Sequence, residues 1–207
     1  MTRVLLLLAL FVAACDDEVQ NTTVIRDEVC LQGRDGNAYC IDRYESSRRD
    51  ATGSSVGSED EGPAESEAGR LPWNDVTYFQ ARDACDRAEV RLCTLAEWQD
   101  ACDGTIGEGG TVFTYGDDQD ESLCNVDGVG GADPAGSNPS CTGVNGLFDQ
   151  GGNVWEWVGA SADEAVVVGG GPSSDLAHRC DSGVRLPVVS SPQDSSDEYG
   201  FRCCRDI

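Results

Sequence analysis

Apolar and polar positions along this chain alternate in short blocks, and each block carries its own signal. Tyr39-Cys40-Ile41-Asp42-Arg43-Tyr44 has the two-residue period of a strand, and Asp35-Gly36 ahead of it is a good turn. A hairpin built on that turn sets Cys30 opposite Cys40. Residues 46–70 are rich in Ser, Gly, Glu and Asp without an apolar period, which predicts one long exposed acidic loop rather than a domain boundary. Two helices follow, each opened by a capping box. Thr77 with Gln80 starts a helix over about 78–88, with Phe79, Ala84, Cys85 and Ala88 on one face. Thr94 with Glu97 starts another over about 95–102, with Leu95, Trp98 and Cys102 turned inward. Residues 104–152 carry Gly, Asp, Asn and Pro throughout and bury too little apolar surface to offset their ordering entropy, so bridges or bound ions must fix them. Asn153 to Val158, Ala165 to Val168 and Gly200 to Cys204 read as three further strands. Two helices, short strands and long stapled loops make an α+β domain.

The first block is of another kind. Thr2-Arg3 is a short positive start, and Val4 to Val12 is apolar but too short to span a bilayer, which takes about 20 residues. It ends in Val12-Ala13-Ala14-Cys15, the pattern of a bacterial lipoprotein signal. The expectation is a signal peptide over 1–14, a diacyl group on Cys15, an acidic tether over 15–28, and a folded domain over 29–207. That places the chain in the bacterial cell envelope, anchored by lipid on the periplasmic side of a membrane or at the cell surface.

Composition narrows the function. The formal net charge is −24, and all 14 basic residues are arginine. Nucleic-acid binding needs basic surface to release counterions and is not expected. Eleven cysteines are present; setting Cys15 aside leaves Cys30, Cys40, Cys85, Cys93, Cys102, Cys124, Cys141, Cys180, Cys203 and Cys204. An even set in an exported chain reads as a disulfide framework. Cys124 and Cys141, flanking the glycine-rich stretch, are expected to pair. A zinc site is disfavoured by the lack of a Cys-x-x-Cys pair and by the single histidine, His178.

Four segments then resemble the formylglycine-generating enzyme family, the sulfatase-modifying factor domain. They are Cys40-Ile41-Asp42-Arg43-Tyr44-Glu45, Arg91-Leu92-Cys93-Thr94-Leu95-Ala96-Glu97-Trp98, Gly146-Leu147-Phe148-Asp149 running into Gly152-Asn153-Val154-Trp155-Glu156-Trp157, and Gly200-Phe201-Arg202-Cys203. The resemblance covers roughly residues 38–205 and implies a variant C-type-lectin-like fold, low in regular structure. It also implies a bridge between Cys85 and Cys203, and one half of a second at Cys102. The usual partner of that half would fall at Val184, so Cys180 is its expected substitute. Cys93 and Cys204 remain, either paired together or exchanging partners with the neighbouring bridge.

The family's enzymes oxidise a cysteine of a substrate peptide to formylglycine, using two thiolates that bind copper(I), an ion that selects sulfur ligands. Aligned without a gap between Gly169-Gly170 and the closing Gly200-Phe201-Arg202-Cys203, those two positions are Ser174 and Arg179. Copper is therefore not expected, and Cys180 is left as a weak catalytic candidate, a lone thiol beside His178 and Arg179 whose pKa a neighbouring cation would lower if it were free. Non-heme iron, used elsewhere in the family, has no visible histidine and carboxylate cluster. The resemblance implies a Ca²⁺ site made by the carboxylates of Asp149 and Glu156 with the carbonyls of Gly152 and Val154, a hard-oxygen set that suits calcium. It implies the start of a second at Asn125 and Val126, and it puts Trp155 on the wall of a ligand groove.

The expected function is a lipid-anchored, disulfide-stapled, calcium-stabilised binding or scaffold module for a protein or glycan ligand, without formylglycine-generating activity. The competing reading is a divergent oxidoreductase of the same family, copper- or iron-dependent, acting on exported proteins.

Overall fold

A computed structural model describes residues 23–104, 110–126, 130–172, 179–180 and 191–207. The expected signal peptide, the lipid site Cys15, Ser174 and His178 lie outside the described residues.

Nine elements follow one another: β1 (Glu28–Gln32), β2 (Ala38–Asp42), α1 (Tyr78–Arg87), β3 (Arg91–Leu92), α2 (Leu95–Asp103), β4 (Trp155–Val158), β5 (Val166–Val168), β6 (Tyr199–Phe201) and β7 (Cys203–Asp206). The turn at Gly36 takes φ 86°, which glycine adopts without a Cβ penalty. It closes a hairpin whose register sets Cys30 against Cys40. The hairpin continues into a four-stranded antiparallel sheet ordered β1-β2-β7-β3, so the C-terminal strand lies inside the sheet between its N-terminal and middle parts. A second sheet, β5-β4-β6, pairs β4 with β5 antiparallel and with β6 parallel.

Both helices begin as their capping boxes dictate. Thr77 and Thr94 accept from the backbone N–H groups of Gln80 and Glu97, whose side chains accept in return from the cap backbone. α2 ends where Gly104 turns left-handed at φ 74°. The inward face of α1 is Tyr78, Ala81, Ala84 and Cys85. Phe79 is only half-buried and stacks edge-on against Tyr78, so the inner position falls to the tyrosine, whose hydroxyl donates to the Gly159 carbonyl.

Two apolar clusters form the core. One gathers Trp73, Tyr78, Trp155, Trp157, Tyr199 and Phe201 around α1 and the second sheet. The other packs Ile41, Trp98 and Leu147 between α2 and the first sheet. Five disulfides staple the chain, Cys30–Cys40, Cys85–Cys203, Cys93–Cys204, Cys102–Cys180 and Cys124–Cys141, and the middle three lie within these two clusters. Cys85–Cys203 and Cys93–Cys204 tie α1 and the β3–α2 junction to consecutive residues of β7. The last of the five brackets the glycine-rich stretch and carries a small cluster with Val126.

The expectation of one exposed loop over residues 46–70 is corrected. Its tip is exposed, but Ser46, Ser47, Arg48, Ala51, Ala64, Glu65 and Ser66 are buried. Ser47 bridges Glu65 through both backbone amides, and Arg49 and Arg70 both pair with the Glu65 carboxylate. A polar segment can lie inside when every polar group finds a partner.

Candidate functional site

The four motif segments meet in one buried polar hub. Strand β6 leaves the second sheet at Phe201 and β7 enters the first at Cys203, so Arg202 stands at the crossing and its side chain drops into the core at 0% exposure. Its Nε and one terminal nitrogen donate to the two oxygens of Glu156 at 2.8 and 2.7 Å. Its remaining hydrogens go to the carbonyls of Asp42 (3.0 Å), Arg43 (3.2 Å) and Phe148 (2.9 Å). Trp98 Nε1 donates to the same Glu156 carboxylate at 2.6 Å. The alternation of β4 explains this: Trp155 and Trp157 face one cluster while Glu156 between them faces the other way.

Asn153 organises the opposite side at a left-handed φ of 67°. Its Nδ2 donates to Glu45 (2.5 Å) and to the Asp133 carbonyl (3.1 Å), and its Oδ1 accepts from the Asp133 amide (2.7 Å) and from Asn125 Nδ2 (3.1 Å). Its amide donates to the Asn125 carbonyl at 2.9 Å. Glu45 also accepts from the Val154 amide at 3.2 Å. This one asparagine therefore holds the glycine-rich stretch onto the strand that carries Glu156.

Four carboxylates are fully buried here: Asp42, Glu45, Asp149 and Glu156. Asp42 pairs with Arg26 and accepts the Cys203 amide at 3.0 Å; burial still outweighs that pairing and pushes its carboxyl up to about 6. Asp149 accepts the Gly136 amide at 2.6 Å through Oδ2, but its Oδ1 has no hydrogen-bond partner, and burial raises the group to about 7. Glu45 is held well above the usual carboxylate range by burial and then by the charges of Asp149 and Glu156.

The residues implied as calcium ligands can now be placed. Asp149 is buried in the hub with an orphaned oxygen, which fits a cation. Glu156 fits less well, because both its oxygens are engaged by Arg202 and Trp98. Gly152 and Val154 lie on the tight turn entering β4, where a Cβ on Gly152 would stand 2.8 Å from the Asn125 carbonyl oxygen. Asn125 and Val126 pack at that turn, and the Asn125 amide group donates to the Gly131 carbonyl and to Asn153. The residue without an assigned role in the sequence reading is Glu45. It stands in the Cys40–Glu45 motif, where Arg43 at strand spacing and Arg48 and Arg49 at helical spacing suggest ordinary local pairing, yet its donors are Asn153 and the Val154 amide. Among the described residues, the one tight group of three potential ligands is Glu28, Cys30 and Cys40, and its two sulfurs are bonded to each other.

Of the two positions that the resemblance assigns to copper-binding thiolates, Arg179 is among the described residues. Cys180 is buried and bonded to Cys102, the partner expected for it, so the weaker reading of a lone reactive thiol is corrected: its sulfur has no free valence. Arg179 lies over the Phe113 ring at 5.7 Å and bridges Phe113 through the backbone, and Phe113 stacks on Tyr115. Trp155, expected on a groove wall, is 5% exposed. Its indole edge is covered by Gly171, where an added Cβ would come within 2.6 Å of Trp155 Cδ1. Tyr199 stands beside Trp155 in the parallel β4–β6 register, and both belong to the same apolar cluster.

Comparisons with known proteins agree with this architecture. The sulfatase-modifying factor enzyme 1-like domain matches residues 22–207. The inactive C-alpha-formylglycine-generating enzyme 2 of Bos taurus is 32% identical over 152 residues, covering 64% of this chain and 48% of the relative. The chain thus spans about half the length of the curated relatives it matches. Among solved structures, CarF superposes with a TM-score of 0.59 at 20% identity, covering 88% of this chain and 98% of that one. Variable protein 1 of Treponema denticola gives 0.56 at 16% identity, covering 89% and 94%. These likenesses show the fold, a variant C-type-lectin-like one with few helices and many bridges. With four motif segments converging on one hub and a family match across the described residues, the chain belongs to the sulfatase-modifying factor enzyme 1-like family.

Proposed function

We propose that this chain is a non-catalytic member of its family: a disulfide-stapled, calcium-stabilised module that presents loops to a protein or glycan ligand, anchored to the bacterial envelope by lipid on Cys15. One observation carries the reading. Of the two positions where the family's enzymes place copper-binding thiolates, one is Ser174 and the other is Arg179, whose guanidinium sits on Phe113. The cysteine next to it, Cys180, is bonded to Cys102. Copper(I) needs soft sulfur donors in reach of each other, and a serine with an arginine supplies none. The relatives named as inactive formylglycine-generating enzymes support the same reading, as far as a half-length match carries it. The signal-like start supports export and anchoring, and the orphaned Asp149 oxygen supports a bound cation.

The test is incubation of the purified, oxidised protein with copper and a cysteine-containing sulfatase peptide, with aldehyde read by mass spectrometry. No aldehyde above the protein-free control is expected; turnover would restore the oxidoreductase reading. Anchoring is tested separately by labelled fatty acid, which Cys15 should incorporate and Cys15→Ser should not.

A further inference from the structure

Away from the hub, one constellation on the first sheet has no part in the function above. The β1–β2 hairpin sets Cys30 directly opposite Cys40, and β7 sets Arg205 opposite Cys40 from the other side. Residues opposed in register share a face of the sheet, and Glu28, two residues before Cys30 on β1, lies on that face as well. A carboxylate oxygen of Glu28 and the sulfurs of Cys30 and Cys40 all come within 4.8 Å of one another. Arg205 holds that carboxylate beside the sulfurs, with its Nε 3.0 Å from each oxygen.

The bridge in this group differs from the other four. Cys30 is exposed on an edge strand, whereas both halves of every other bridge are buried. Its sequence separation is 10, against 17 to 118 for the rest, so it restricts the unfolded chain least. The Gly36 turn and the β1–β2 and β2–β7 ladders hold the hairpin without it. Exposed bridges are the ones that exchange with external thiols.

We propose that Cys30–Cys40 is a reducible bridge whose opening creates a zinc site made by the two thiolates and Glu28. The reductant is a dithiol, protein-borne or small. One of its thiolates attacks the exposed Cys30 sulfur, the bond between the two cysteines breaks, and Cys40 leaves as a thiolate in register with the Arg205 cation. The second thiol of the reductant then displaces Cys30 from the mixed disulfide. The reductant ends as a disulfide, and two electrons and two protons have passed to the cysteine pair. Zn²⁺ takes both sulfurs as thiolates and releases those protons. Donor atoms around a tetrahedral zinc stand about 3.6–3.8 Å apart, which side-chain rotation reaches from the present cluster. The two thiolates and the carboxylate outweigh the ion by one charge, and Arg205 supplies the balance. Cys30 and Cys40 lack the short spacing of a zinc motif; the hairpin provides the proximity instead. This inference does not rest on calcium or on the absence of catalysis.

The experiment treats the oxidised chain with a small excess of dithiol, alkylates at intervals and maps the label by mass spectrometry. Chain carrying two thiols is freed of reductant under anaerobic conditions, and Zn²⁺ alone is titrated into it by calorimetry. Cys30 and Cys40 should label before any other cysteine, and the two-thiol chain should bind one Zn²⁺, which then blocks their alkylation. Glu28→Gln should keep the order of labelling and weaken zinc binding by at least about tenfold, the loss that even a supporting residue of a metal site produces. The double variant Cys30→Ser/Cys40→Ser should keep the other four bridges and lose this binding. Labelling of a buried pair as early as Cys30 and Cys40, or no saturable zinc binding by the two-thiol chain, would overturn the proposal. So would wild-type zinc affinity in Glu28→Gln or in the double variant.

Discussion

Replacing Arg202 by methionine tests whether the hub holds the fold together. The side chain is 0% exposed, makes two bonds to Glu156 and gives its other hydrogens to three backbone carbonyls. Methionine fills much of the same volume but leaves Glu156 a buried anion with only the Trp98 N–H for company. Breaking a buried pair from one side costs about 3–5 kcal/mol. For a domain of this size each kcal/mol is worth roughly 2–4 °C of midpoint, so a fall of about 6–20 °C is expected. The carbonyls of Asp42 and Phe148, which lose their Arg202 donor, place the loss toward the upper end, while that of Arg43 keeps the Phe148 amide. The assay is urea unfolding of the oxidised protein at fixed free calcium, followed by circular dichroism and tryptophan fluorescence, for Arg202→Met, Glu156→Gln and the double variant. The double variant should lose clearly less than the sum of the two singles, because each single change strands the other partner. A loss below about 1 kcal/mol for Arg202→Met, or additivity within about 0.5 kcal/mol, would refute the argument.

Four further outcomes follow from the same geometry. In chelator, stability should fall as pH rises from about 4 to 7: Asp42 and Asp149 carry folded values of about 6 and 7 against an ordinary 3.8, so the folded state binds more protons in that window and loses its advantage as they leave. Saturating calcium should oppose that slope, since the ion requires the deprotonated carboxylate, and urea midpoints across pH read both. Removing the Cys102–Cys180 bridge with serines, across a separation of 78 residues, should cost about 4 kcal/mol without altering the aldehyde assay. Gly171→Ala should cost about 1–3 kcal/mol and shift tryptophan emission, because the new methyl meets the Trp155 ring. Thr94→Ala should cost about 1 kcal/mol through loss of the α2 cap.

What depends on near neighbours was legible in the sequence. The Asp35-Gly36 turn set Cys30 against Cys40, and both capping boxes open the helices at the residues they named. What depends on distant partners was not. Residues 46–70 look solvated because their polarity is satisfied by Ser47 pairing with Glu65 and by two arginines on Glu65, contacts that no local period records. Gly200 to Cys204 reads as one strand, yet the chain changes sheets at Arg202, and only an arginine within an apolar run hinted at it. Glu45 had no visible role, since its partner Asn153 lies 108 residues away. The proposal that copper is not bound rests, by contrast, on sequence alone, where Ser174 and Arg179 fall at the positions the resemblance assigns to cysteines.

The proposed lack of catalysis turns on the state of the sulfurs, and mass spectrometry of the alkylated protein reads that directly. Denatured without reductant, the ten cysteines from Cys30 to Cys204 should take up no label, and after reduction all ten should. Labelling of Cys180 together with a second cysteine before reduction, with both shielded by copper(I), would contradict it.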